Sequence, residues 1–469
     1  MPAVRWLIIL FCLTAVLAGG CARVSRPEKN LAERLEYDAV VRERYRLDSE
    51  WWKVYNDRQL DQVVDIALTN NIDLAKSALS VNRALFQAKL LAADLVPGFS
   101  GGLDASARKN IKEGSPSTRS VGGNITLSYE LDLWRKVADS VDAQEWEYRA
   151  SIEDLAGVRL ALINSVVDVY YNLAYLNDAL EVAEKNLKNY RAIESTIQAK
   201  YEAGKVSGLE SAQAHQSVLN AENSLIELQS QHKSAGQTLR DLLNLKPGEE
   251  LKLKPSLAKL EPPALDLNIP LSVLANRPDL RAAEYRVEKA FKNVEVAEKG
   301  WLPTISLSSA LSSSGVGFDQ AFSNPTASAG LSIKLPFLDW SNVLYSLRIS
   351  ETDFESVRLD FEKALTTALN EVDTYYYTYQ QSLKSMVKIR QKYAYDLRIS
   401  KYYQDRYQSG AGELSDWLNA LNTVNSSRQT ALNSLYQTVQ EGNMVYKALA
   451  GRYVDQAKEL TPDAGSRAR

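Results

Sequence analysis

Few side chains in this sequence combine the type and spacing that chemistry needs. Among 469 residues there are two histidines, His215 and His232, and two cysteines, Cys12 and Cys21. That is too few for a zinc site, Cys/His catalysis or a disulfide framework. Asp, Glu and Tyr are plentiful, yet no nucleophile–base constellation or phosphate loop accompanies them. The chain is therefore expected to be no enzyme, to hold no metal and to need no cofactor. Three methionines, Met1, Met386 and Met444, do not make a lined path for a soft cation. One residue does sit in a reactive context. Arg5 precedes an apolar run, Trp6 to Ala18, which leads into Leu17-Ala18-Gly19-Gly20-Cys21. Small residues before a cysteine at that place are similar to a bacterial lipobox, in which Cys21 becomes the acylated first residue of the mature chain.

The apolar run has signal-peptide length and is too short to cross a bilayer comfortably. The lipobox departs from the usual pattern at Ala18, where leucine is commoner. Several acyl chains anchor stably where one does not, and Ala22 after the cysteine points to the outer membrane. Residues 1–20 are read as a signal peptide and 21–57 as a lipidated linker. Net charge is −3, so no basic footprint calls for nucleic acid. A mean hydropathy of −0.29 is too polar for a helical membrane bundle.

Folded structure is expected from Trp51-Trp52 onward. Leu60, Val63, Val64, Ala67 and Leu68 mark one face of a helix. Asn70-Asn71 interrupts it, and Asp73 is expected to cap a second helix. After Pro97 the period changes to 2. Phe99, Gly101, Leu103, Ala105 and Ala107 alternate with polar or small residues, as do Val121, Gly123, Ile125, Leu127, Tyr129 and Leu131. These are two strands, about 98–108 and 120–131, each with an apolar and a polar face. A long helix is expected over about 134–203. In it Leu162, Val166, Val169, Leu173, Leu176, Leu180, Ala183, Leu187 and Tyr190 step by 4 and 3 alternately, a coiled-coil period. At ~1.5 Å per residue it would reach roughly 100 Å. The Gly204–Gly208 stretch breaks it, and a second helix returns over about 209–245.

The whole unit then restarts. Trp134 recurs as Trp340, Tyr201 as Tyr407, Pro97 as Pro303 and Gly204 as Gly410, each 206 positions later. An offset held over so long a span marks a duplication. Repeat 1 is placed at 58–263 and repeat 2 at 264–459. Repeat 2 has strands at about 304–313 and 327–337 and long helices at about 340–409 and 415–450. A tail at 460–469 is expected to be disordered. The fold class is mostly α with a small β part: long coiled-coil-like helices plus β-hairpins.

Four strands cannot close a barrel, and open sheet edges are not tolerated in a bilayer. Strands of about ten residues are long enough for an outer-membrane barrel. The missing strands must come from further copies of the chain. Two copies would fill the lumen with side chains, whereas three would open it.

Tyr129-Glu130-Leu131-Asp132-Leu133-Trp134, the Trp51-Trp52 pair, Asn276-Arg277-Pro278-Asp279-Leu280 and Leu302-Pro303 resemble the outer membrane factor (TolC-like) family, in its lipoprotein efflux branch. The likeness runs from about Cys21 to Tyr453. It implies a trimer with a 12-stranded β-barrel on a 12-helix periplasmic α-barrel, serving as the exit duct of a tripartite efflux pump. It also implies a periplasmic adaptor and an inner-membrane transporter of the resistance-nodulation-division (RND) type as partners, and outer-membrane lipid around the barrel. The cargo implied is drugs or other small toxic compounds. Members close the periplasmic end of the tunnel like an iris. The family pattern there matches Tyr407, Gly410, Asp416 and Ala420, so Asp416, with Glu413 and Tyr407, is implied in the gate. Like charges in a ring raise one another's pKa. Two departures stand out: Asn419 where other members carry a second Asp, and Gly412 where they carry an Arg. Gly204, Leu209, Glu210, Gly410 and Gly412 are implied as the tips that meet the adaptor. Two alternatives remain beside this reading: a duct for type I protein secretion, and a lipid-anchored periplasmic coiled-coil tether whose strands pack on soluble protein.

Overall fold

Asp57 and Asn71 start the first two helices through their side chains. Asp57 accepts from the backbone N–H groups of Gln59 and Leu60 at 2.9 and 3.3 Å and opens α1, Arg58–Asn70. Asn71 accepts from Leu74 N–H at 3.0 Å and opens α2, Ile72–Ala92. The cap is thus Asn71 and not Asp73. Asn71 holds the extended backbone a cap requires, while Asp73 sits in the first turn, where a carboxylate favours the helix dipole.

The computed structural model describes residues 50–109, 111, 117–246, 249, 253–258, 260–263, 265, 277–317 and 320–449. The signal peptide at 1–20, Cys21, most of the 21–57 linker and the 460–469 tail lie outside the described residues. After α2 come β1, Gly98–Arg108, and β2, Thr118–Leu131. The two long helices of the first repeat are α3, Lys136–Glu202, and α4, Gly208–Leu242. The second repeat has α5, Pro278–Glu298, then β3, Thr304–Gly315, β4, Thr326–Lys334, α6, Trp340–Gln408, and α7, Leu414–Ala448. The ends of α2 and α5, the starts of β1 and β3, the ends of α3 and α6, and both ends of α4 and α7 all differ by 206.

Local chemistry shifts some expected boundaries. β4 stops at Lys334, short of 337, because Pro336 has no N–H for the ladder and instead heads a 3-10 turn, Pro336–Asp339. α3 opens at Lys136, not 134. Arg135 is left-handed at φ 57°, and the Asp132 carboxylate accepts from Val137 and Ala138 N–H at 2.9 and 2.8 Å. α4 and α7 end at Leu242 and Ala448, before the expected 245 and 450.

The heptad stripe of α3 is core. Leu162, Val166, Leu173, Leu176, Ala183, Leu187 and Tyr190 are buried, and Val169 and Leu180 half-buried. Leu162 to Ala183 cluster with Leu228 and Leu239 of α4, Leu435 and Val439 of α7, and Trp51 and Trp52, whereas Leu187 and Tyr190 pack with Val218, Leu414 and Leu418. Trp51 stacks on Tyr446 at 5.2 Å between ring centres. α6 is different. Of its 69 residues only Ala368, Tyr379, Met386, Asp396 and Ser400 are buried, whereas Tyr345, Ile349, Leu359, Tyr377, Tyr395 and Tyr402 are exposed. The same chain covers one rod and leaves the long side of the other bare.

Candidate functional site

The four strands form one antiparallel sheet in the order β1-β2-β3-β4. Its register gathers the large apolar side chains on one face, with Arg119, Ser309 and Ser313 among them. Phe99 pairs with Leu127, Ile125 with Leu311, Tyr129 with Leu307, and Leu307 with Leu331, so odd-numbered residues make an apolar face across all four strands. Even-numbered residues make the other: Ser100 pairs with Thr126, Asn124 with Ser312, and Ser306 with Ser332. Side chains alternate sides along a strand, so this separation follows from the register alone. The apolar face is open. Phe99 is 78% exposed, Leu103 83%, Ile125 57% and Leu331 64%. Every residue of β1 and β4 is exposed, and both are edges. A tether whose strands pack on soluble protein would have covered this face; no described helix does so. Just below the sheet, Trp134 donates its indole N–H to the Pro303 carbonyl at 2.8 Å and so joins the two repeats.

At the opposite end of the rods are two turns of one design. Gly204 and Gly410 are left-handed, at φ 69° and 75°. Around them the N–H groups of Gly204 and Lys205 donate to the carbonyls of Tyr201 and Lys200, both at 2.8 Å, and Gly410 and Ala411 donate to Tyr407 and Arg406 at 3.1 and 2.9 Å. This is the Schellman way of ending a helix, and it needs a residue without a Cβ penalty. Gly412 has another reason. A Cβ there would lie 3.1 Å from Cβ of Arg406, whose guanidinium already donates to the Ala411 carbonyl at 2.7 Å.

The two turns then diverge. In the first, Ser207 and Glu210 form a reciprocal capping box, with Ser207 N–H donating to Glu210 at 2.9 Å. Leu209, 67% exposed, lies in the first turn of α4 rather than in the connecting turn. In the second, Glu413 takes the place of Ser207 and Asp416 that of Glu210. Glu413 makes no side-chain cap and accepts instead from the Ser415 hydroxyl at 3.1 Å. Both carboxylates are exposed at the N-terminus of α7. The acid that is used up as a cap in repeat 1 is free in repeat 2.

Tyr407 packs against the residue that follows Asp416. Its ring stacks on Trp417 at 5.5 Å, with Lys200 Nζ 4.8 Å from its centre, so it pins α6 to α7 and to α3. Higher up, Tyr190 donates its hydroxyl to Asn422 and accepts from Asn425 at 2.9 Å. Sequence periodicity counted Tyr190 only as core. Its polar partners lie 232 and 235 positions away, and no local pattern announces them.

A sheet with two bare edges and an uncovered apolar face, carried on rods of roughly 100 Å, defines a subunit of an outer-membrane channel with a large periplasmic part. The chain belongs to the outer membrane efflux protein family, whose model matches residues 63–245 and 269–451. Toxin and drug export protein A of Aggregatibacter actinomycetemcomitans is 42% identical over 448 residues, covering 95% of this chain and 98% of that one. The pyoverdine export outer membrane protein OpmQ of Pseudomonas putida is 28% identical over 420 residues, 86% of this chain and 88% of that one. A solved structure of the transmembrane channel CusC superposes with a TM-score of 0.77 at 23% identity, over 85% of this chain and 94% of that one. The two family matches are themselves 206 apart at both ends, as are α2 and α5, and α4 and α7. The protein is an efflux duct of the outer membrane.

Proposed function

We propose that three copies of this chain join edge to edge, β1 of one to β4 of the next, as a twelve-stranded barrel above a tunnel of twelve helices. The observation that carries this is the pair of unpaired edges beside an apolar face that no described helix covers. Unpaired N–H and C=O groups cost several kcal/mol each in lipid. Three copies give a barrel wide enough for an open lumen lined by the Ser, Thr, Asn and Gly face. The bare side of α6 supports the same assembly, since neighbouring copies would cover it. The duct works with a periplasmic adaptor at the Gly204 and Gly410 tips and an inner-membrane transporter of the RND type, which supplies the energy. Its role is transport, not catalysis. Cys21, acylated, tethers the mature N-terminus to the outer membrane. Asp416 and Glu413 of three copies ring the periplasmic mouth and close it. The cargo is drugs or other small toxic compounds. In planar bilayers the purified trimer is expected to give discrete conductance steps; a protein that never conducts would end the duct reading.

Type I protein secretion is a second reading, and the name of the 42% identical relative, which joins toxin and drug export, favours it. Deleting the gene separates the two. Drug sensitivity without loss of a secreted protein supports efflux, loss of a secreted protein alone supports secretion, and both together support a shared duct.

A further inference from the structure

Asp168 lies in the middle of α3, where α3, α7 and the Trp51–Tyr55 turn meet. One of its oxygens accepts from Asn443 Nδ2 at 2.8 Å and the other from Asn164 Nδ2 at 3.1 Å. Asn443 is fully buried, and its own Oδ1 accepts the Tyr55 hydroxyl at 2.6 Å. The carboxylate thus anchors a chain of hydrogen bonds from α3 through α7 to the N-terminal turn. Asn164 is also buried, yet its Oδ1 accepts no hydrogen bond. The other titratable groups near the seam are Tyr55 of the turn, Asp57 at the head of α1, Asp61 of α1, Tyr170 and Tyr171 of α3, Tyr436, Glu441, Tyr446 and Lys447 of α7, and Tyr379 of α6. Lys447 attracts the Asp168 charge and Glu441 repels it. Burial raises Tyr55, Tyr170, Tyr171, Tyr379 and Tyr436, which stay neutral, and nothing at the seam turns cationic as the pH falls.

We propose that Asp168 and Asn164 form a proton-uptake site that tightens this seam when the periplasm acidifies. One proton moves from solvent to the Asp168 carboxylate. The Asn164 amide turns over and its Oδ1, without a donor before, accepts the new Asp168 hydroxyl. Asn443 keeps its donation to the other oxygen, so its acceptance from Tyr55 is undisturbed. Burial pushes the Asp168 carboxyl up to about 6, against the pull of Asn443, Lys447 and Asn164. The folded chain then holds the proton more firmly than the unfolded one. The resulting stability is fully present below the ordinary carboxyl value of 3.8 and is lost as pH rises through about 6.

The full-length protein in detergent tests this by infrared difference spectroscopy and thermal unfolding between about pH 7.5 and about pH 5.5. In the native protein a protonated-carboxyl C=O band should grow as pH falls, and the unfolding midpoint should rise with it. Asp168→Asn should have a smaller band, since burial also raises Glu153 and Glu441, start from the higher midpoint and vary less with pH. A native protein without the band, or an Asp168→Asn protein whose band is undiminished, overturns the site. Asn164→Leu adds a directional test that does not need the Asp168 variant to assemble. There the new hydroxyl would have no acceptor, so the protonated-carboxyl C=O band should move to higher wavenumber than in the native protein. A band that stays at the native position would mean that Asn164 only donates to the carboxylate, and the turnover would be wrong.

Discussion

Asn71 and Arg277 occupy the same position of the two repeats, and each reaches to the last carbonyl of the helix that ends beside it. Asn71 Nδ2 donates to the Leu242 carbonyl at 3.0 Å, and Arg277 Nη1 donates to the Ala448 carbonyl at 3.3 Å. Both bonds span 171 residues. Each satisfies a carbonyl that a helix terminus leaves unpaired, and so seats α2 on the end of α4 and α5 on the end of α7. Repeat 1 does this with a neutral amide. Repeat 2 does it with a buried guanidinium that also binds Asp279 and Glu371, both at 2.7 Å.

The two joints should therefore fail differently. Asn71→Ala removes a cap and one hydrogen bond, at about 1–2 kcal/mol. Arg277→Ala leaves two carboxylates without their cation, at about 1–3 kcal/mol once the exposure of Asp279 is allowed for. Burial works to raise the Asp279 carboxyl, but Arg277 holds it below the usual 3.8. Its stabilisation is present above about pH 4 and lost as pH falls through the lowered value. Acid unfolding curves should converge for native and Arg277→Ala proteins at low pH, and stay apart for Asn71→Ala.

The edge pairing can be read by cross-linking. Cys12 and Cys21 are the only cysteines, so new thiols report cleanly. Ala105→Cys on β1 and Ala327→Cys on β4, combined in one chain and treated with a short bis-maleimide, should give a ladder that ends at three subunits. A ladder that ends at two, or no ladder, rules out the twelve-stranded barrel.

Asp416→Ala should leave assembly intact and raise single-channel conductance, because a free carboxylate would be removed from the mouth. Glu210→Ala, its counterpart in repeat 1, should instead cost about 1 kcal/mol of helix stability through the lost capping box, with conductance unchanged. Equal conductance in native and Asp416→Ala channels would take Asp416 out of the gate.

Cys21→Ser should lose the mass of the acyl chains, read by mass spectrometry of the mature protein. The barrel should still hold the variant in the outer membrane. Its complete disappearance from that membrane would show that the sheet cannot anchor itself.

The sequence alone determined the duplication, the heptad stripe of α3 and the two-faced strands, because each is a local period that a one-dimensional string preserves. It also determined where the long helices break, since Gly204 and Gly410 recur at the same offset as the helices around them. Three matters were decided only in three dimensions. Asn71, not Asp73, caps α2, because capping depends on backbone angles that residue type does not reveal. Tyr407 is held by Lys200 and Trp417, which come from different helices and which no local pattern brings together. Asp168 is joined to Tyr55 through Asn443, a chain assembled from the N-terminal turn, α3 and α7. Periodicity records which face of an element is apolar. It does not record which distant polar group meets another once those faces close.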